Sequence, residues 1–264
     1  MIATFAQTQQ NSPVYFAAGS EGLNPFMAFF QNDRFVPVPQ ENYKQQIESV
    51  LIHFLVGKKL SGLDMKGKNI TVSVMELNWE AEYFMNFIKT DPPIKRLILA
   101  TSTPVALKYL ALNSITLSNH ELQLLQTKAL DIWKKERQLF YEDQRPSVKI
   151  TLLTPKVQSV KELPDMITVL FPARFTRDKI SDDRGSFFFL FDRKTKKMIL
   201  SHFGHPEWSP NAPDSVLSIK PYMFFKIGDS PTPYFLADYD YGWESSGLAI
   251  INFTNGHVEA TTNY

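Results

Sequence analysis

The sequence predicts an α+β protein: a mixed α/β N-terminal part, then a mostly antiparallel β part shaped as a sandwich or a propeller-like fragment. Three observations predict it. Up to about residue 144, stretches with helical spacing interrupt stretches with strand alternation. After Asp143-Gln-Arg-Pro146 no convincing helical stretch appears, and turn signals recur roughly every 8–15 residues. The last turn, Asn255-Gly256, is the preferred pair for a two-residue type I′ hairpin loop. The expected organisation is therefore residues 1–144 as a mixed α/β region and 145–264 as an antiparallel β region, with a core the two can share.

Composition narrows the function classes. A chain of 264 residues, 44% hydrophobic and 21% charged, is long and apolar enough to fold around a sizeable core. Its net charge of +1 argues against nucleic acid as the main partner, since phosphate neutralisation leaves a basic excess. No run approaches the roughly 18–20 apolar residues of a membrane-spanning helix. The absence of cysteine excludes disulfides, thiolate-held metals and a thiol nucleophile. At the N-terminus, Thr4 and Ala6 suit the small-residue positions before a signal-peptidase cut, but a charged start and a full apolar stretch are missing. Two readings stand side by side, the tail of an export signal and a frayed terminus. A periplasmic or secreted location is the expectation.

In order, Pro13–Ala18 reads as a strand, followed by a hairpin of 26–30 and 34–38 turning at Gln31-Asn-Asp33. Asn42 caps a predicted helix over 43–56, whose stripe is Tyr43, Ile47, Val50, Leu51, Phe54 and Leu55; His53 lies beside the stripe, in solvent. Ile70, Val72 and Val74 alternate as a half-buried strand. Trp79, Tyr83, Phe84, Phe87 and Ile88 fall at helical spacing and predict a short helix over 79–89, ended by Asp91-Pro-Pro93. Residues 96–100 read as a strand, and periodicity leaves 104–112 open between helix and strand. Ser118 and Glu121 form a capping box for a helix to about residue 142 that buries Leu122, Leu125, Ala129, Ile132, Trp133 and Phe140. Beyond it, 148–152, 166–171, 219–227 and 234–237 read as strands. Phe187–Phe191 and Met198–Phe203 read as a hairpin around the charged turn 192–197. In the closing hairpin a two-residue loop sets Phe253 against Val258 and Ile251 against Ala260. That puts these four on the core face, with Asn252, Thr254, His257 and Glu259 in solvent.

Four constellations bear chemistry. Asp238, Tyr239, Asp240, Tyr241, Trp243 and Glu244 interleave carboxylates with aromatic rings. Alternating aspartates before a glycine offer the hard oxygen ligands that calcium takes, and the stretch resembles the start of the Asp-x-Asp-x-Asp-Gly loops of EF-hand, dockerin and integrin-like repeats. It departs from them at Gly242, where the third acid belongs, and at Ala249, where an EF-hand carries Glu. Second, His202, His205 and Glu207 place two imidazoles and a carboxylate within six residues, a set that can hold zinc with Glu207 as base. Third, Ala18-Gly-Ser-Glu-Gly22 loosely resembles the nucleophile elbow of α/β-hydrolases, but Leu23-Asn-Pro25 follows where the elbow requires a helix. Fourth, Trp208, Tyr222, Phe224, Tyr234, Tyr239, Tyr241 and Trp243 crowd one β region, as core or as a platform for a sugar or peptide. Asn69-Ile-Thr71 and Asn252-Phe-Thr254 match the N-glycosylation triplet, a pattern frequent by chance.

The resulting expectation is a non-enzymatic binding or structural protein, without a bound cofactor, whose aromatic–acidic stretch near 234–244 contacts a protein, peptide or glycan. The rival is a metal-dependent hydrolase built on His202, His205 and Glu207 with zinc as the implied ion; calcium is the ion implied for the Asp238–Glu244 stretch.

Overall fold

A computed structural model describes residues 13–20, 23–37, 55–80, 85–102, 105–140, 149–177, 181–204, 219–240 and 246–262. Within them every strand pairing is antiparallel, and three sheets form. The first has seven strands, in the order β3 (Arg34–Pro37), β2 (Asn24–Gln31), β1 (Val14–Gly19), β7 (Ile98–Thr101), β4 (Lys59–Asp64), β5 (Asn69–Glu80) and β6 (Met85–Asp91). The chain then sends β8 (Leu107–Tyr109) and β9 (Leu112–Ser114) to two other sheets before the helix α1 (Asn119–Phe140).

The six-stranded sheet has β12 (Leu163–Arg177) at its centre. One edge of β12 pairs with β13 (Ser181–Asp192), which pairs with β14 (Lys197–Gly204). The other edge carries β10 (Lys149–Leu152) and β11 (Lys156–Val160), and β9 joins beyond β11. The five-stranded sheet runs β8, β15 (Lys220–Ile227), β16 (Pro233–Asp240), β17 (Ser246–Asn252) and β18 (Val258–Thr261).

These elements stack as four layers, and strand alternation assigns each face. In Phe187–Phe191, the odd positions pack with Leu125, Ala129 and Trp133 of α1. The even positions, Phe188 and Leu190, pack with Phe224, Phe235 and Ile251 of the five-stranded sheet. The opposite face of that sheet, with Met223, Phe225, Leu236 and Ile250, meets Phe16, Phe26 and Phe30 of the seven-stranded sheet. The order is thus α1, six strands, five strands, seven strands. The middle sheet is covered on both faces, which explains its unbroken apolar runs.

Two hairpin loops follow local chemistry in opposite ways. Asn32 and Asp33, both at positive φ (53° and 60°), form the two-residue loop of β2 and β3, as expected for short polar residues that tolerate the left-handed region. Asn255-Gly256 does not form the predicted two-residue loop. The Asn252 and His257 backbones pair across four loop residues, Asn252 N–H donating to His257 at 2.9 Å and Gly256 N–H to Asn252 at 2.9 Å. Ile250 therefore faces Ala260 and Ile251 faces Val258. Phe253 decides the outcome: its fully buried ring packs edge-on against Phe224 and Phe235, 5.1 and 6.2 Å between centroids. As a result Val258 is exposed and Asn252 is buried, reversing the predicted placement of both, while Ile251, Phe253 and Ala260 are in the core. His257 is exposed, as expected. Gly256 has φ of 74°, and a Cβ there would come within 2.9 Å of Leu200 on β14.

The predicted helix over 79–89 is replaced by the paired ends of β5 and β6. The ladder runs in unbroken register from Glu76 opposite Lys89 to Glu80 opposite Met85 and pairs the backbone across strands, while residues 81–84 lie outside the described residues. Before α1 the regular structure of the described residues is otherwise strand, with Leu55 in helical conformation at the end of the predicted 43–56 stretch; of the expected helices there, the one over 79–89 is the one overturned. The coarser reading, a β-rich antiparallel protein, holds. The predicted helix over 43–56 lies outside the described residues as far as residue 54, and His53 with it; Leu55 is fully buried. The short segment 104–112 resolves into β8 and β9 from residue 107 onward. No helix among the described residues is long and apolar enough to cross a membrane.

The capping box forms as read. Ser118 N–H donates to Glu121 Oε2 at 2.8 Å, and Glu121 N–H donates to Ser118 Oγ at 3.2 Å. The same carboxylate receives Arg193 Nε and Nη2 at 2.6 and 2.8 Å, fastening the start of α1 to the β13–β14 turn. That bidentate bond, with help from Ser118 and against partial burial, pulls the Glu121 carboxyl down to about 2. An unfolded glutamate titrates near about 4.3. A depressed folded value stabilises fully above the unfolded one and is lost as pH falls toward the folded one. Glu121→Gln is expected to lower stability by about 1 kcal/mol at neutral pH. In urea unfolding followed by circular dichroism, the gap from wild type should close between about pH 4.3 and 2; a gap that ignores pH contradicts the bridge.

Candidate functional site

The site is built where β16 emerges from the core. Along this strand Tyr234 and Leu236 face the seven-stranded sheet, and Phe235 and Ala237 face the six-stranded one. The alternation carries on past the apolar run. Asp238 continues the first face and Tyr239 the second, both half-buried.

On the first face, the Tyr222 phenol donates a hydrogen bond to the Asp238 carboxylate. Tyr222 sits at a bulge of β15, between Pro221 and Met223. Lys220, directly opposite Asp238 in the ladder, holds its ammonium 5.3 Å from the Tyr222 ring centroid. Burial raises the Asp238 carboxyl above its ordinary value, opposed by the Tyr222 hydrogen bond and by Lys220. The Tyr222 hydroxyl is pushed up as well, by burial first and then by its bond to the carboxylate.

On the second face, the Tyr239 ring lies 5.4 Å from the His202 ring, tilted by 45°. His202 belongs to β14 opposite Phe188, on the side of the six-stranded sheet that packs on the middle sheet. His202 and Tyr239, which lie in stretches that look unrelated in sequence, therefore meet at this strand end.

The remaining predicted residues divide cleanly. Asp240 ends β16 opposite Ser246. Asp238, Tyr239 and Asp240 are thus extended strand residues, whereas the resemblance to calcium-binding repeats places the aspartates in a loop. Tyr241, Trp243 and Glu244 lie outside the described residues, as do His205, Glu207 and Trp208. Among the described residues, no three His, Asp or Glu side chains gather to hold a metal ion. Phe224 and Tyr234 are core, at 1% and 2% exposure, so the aromatic surface of this region narrows to Tyr222 and Tyr239 among the described residues. Ser20 forms a bend after β1, and residues 21 and 22 of the glycine-rich turn lie outside the described residues.

Asn252, the first residue of one glycosylation triplet, is engaged at both ends of its amide. Its nitrogen donates to Glu259 at 3.0 Å, and its oxygen accepts from Thr254 N–H and Oγ1 at 3.0 and 2.8 Å. In the folded chain it is a loop-organising residue. Sequence reading missed Tyr222 and Lys220 as partners of Asp238. The bond spans 16 residues, and Lys220-Pro-Tyr222 reads as an ordinary strand start.

Tyr222→Phe removes the phenol donor to Asp238 and leaves the ring in place. The Asp238 carboxyl is expected to titrate at higher pH than in wild type, as followed by carboxyl carbon NMR; an unchanged or lower value contradicts the assigned bond. Comparison with known proteins adds no relative to this geometry: no protein-family model, curated protein or solved structure matches the chain.

Proposed function

We propose that the chain is a non-enzymatic binding protein that contacts a glycan or an extended peptide through the half-buried end of β16. The observation that carries this reading is the meeting of Asp238 with Tyr222 on one face and of Tyr239 with His202 on the other. A carboxylate and three partly exposed rings at one strand end combine apolar area with hydrogen-bonding capacity. A pyranose face or an extended backbone makes use of both. In sequence, Tyr241, Trp243 and Glu244 continue the same composition directly beyond the strand. A core that buries both faces of β16 supports a fixed position for these groups, which lowers the ordering cost of binding.

The test is a glycan and peptide array probed with wild type, Tyr239→Ala and Trp243→Ala. The reading expects at least one hit whose signal falls about tenfold or more in each variant, the loss typical of a buried aromatic anchor. Hits indifferent to both substitutions contradict it. The rival hydrolase makes a separate demand: transition metal copurifying with wild type and absent from His205→Ala.

A further inference from the structure

A second candidate site lies on the far side of the seven-stranded sheet, away from the strand-end cluster. The connection from β6 to β7 must pass two intervening strands, β5 and β4. Residues 92–97 make that crossing, and Ile94 drops into the apolar cluster that holds Val72 and Ile98. Between the crossing arm and the start of β5 an open cavity of about 370 Å³ remains. That size is at the small end of the roughly 300–1,000 Å³ of small-molecule sites.

Its floor and rim differ in chemistry. Val72, Ile94 and Ile98, each no more than 9% exposed, form an aliphatic floor together with the partly buried Ile70. No aromatic ring among the described residues lines the cavity, so none of them selects a flat ligand by stacking. The charged lining groups are Lys68, Lys95 and Arg96, all exposed, and Asp64. Asp64 is not an open acceptor. Its Oδ1 takes the backbone N–H groups of Lys66 and Lys68 at 2.8 and 2.9 Å and shapes the β4–β5 turn. Among the described lining residues the rim therefore presents three cations against one carboxylate, whose Oδ1 is engaged by the backbone and whose charge acts on Arg96.

We propose that this cavity binds a small aliphatic carboxylate, its hydrocarbon part on the isoleucine–valine floor and its headgroup at Lys68, Lys95 and Arg96. A cation meets like charge at the rim, and a neutral alkane leaves the three cations without use. An inorganic anion leaves the apolar floor wet. Only a ligand with both parts satisfies both surfaces. The site is independent of the β16 surface, so either can fail alone.

The test titrates sodium octanoate, 1-octanol and sodium phosphate separately into the whole chain, read by amide NMR. Octanoate is expected to shift Lys68 and residues 94–98 saturably. Lys95→Gln/Arg96→Gln, a double change of exposed side chains, is expected to weaken it about fivefold or more, the scale of lost exposed charge pairs. Octanol matching octanoate would overturn the role of the rim, and phosphate matching it would overturn the role of the floor. An absence of saturable shifts at these amides overturns the site.

Discussion

The structure depends on burying both faces of one five-stranded sheet. Phe224, Phe235, Ala237 and Ile251 pack toward the six-stranded sheet, while Met223, Phe225, Leu236 and Ile250 pack toward the seven-stranded one. Each such large side chain contributes about 1.5–3 kcal/mol on removal from water, so this sheet is where two outer layers obtain a common core. It also ties the chain together along its length, because β8, from the N-terminal half, forms its edge beside β15. Lys108 of β8 and Lys226 of β15 share Glu162 on the β11–β12 turn, at 3.3 and 3.0 Å. This exposed contact is small in energy beside the buried area.

The position of the candidate site follows from that burial. A strand with both faces covered can present polar chemistry only at its ends. β16 keeps its alternation as it leaves the core, so Asp238 and Tyr239 inherit opposite faces and find partners on different strands, Tyr222 and His202. Burial that is incomplete at this point allows a desolvated carboxylate, and the Tyr222 hydrogen bond with Lys220 nearby compensates part of its cost.

Much of the architecture was legible where local chemistry decides it. The Ser118–Glu121 capping box, the Asp192–Lys197 turn and the strand runs 187–191 and 234–237 all read correctly, because a cap, a turn or β-branched and aromatic density suffices. Legibility failed where tertiary packing overrides a local signal. Trp79–Lys89 carries apolar residues at helical spacing, yet Glu76–Glu80 pairs with Met85–Lys89 across the sheet. Asn255-Gly256 forgoes its preferred loop because the Phe253 ring is buried among Phe224 and Phe235. The candidate site was half legible. Its residues stood out by composition, whereas the joining of His202 to Tyr239 and of Tyr222 to Asp238 depends on sheet pairing that no local pattern encodes.

Native-state hydrogen exchange tests the central claim most directly. If the middle sheet is the shared core, amides of Phe235–Ala237 and Ala249–Ile251 exchange only through global unfolding, with opening free energies equal to the stability from denaturant. Exchange of these amides at clearly lower free energy, while the central strands of either outer sheet keep full protection, would contradict a core organised around the middle sheet.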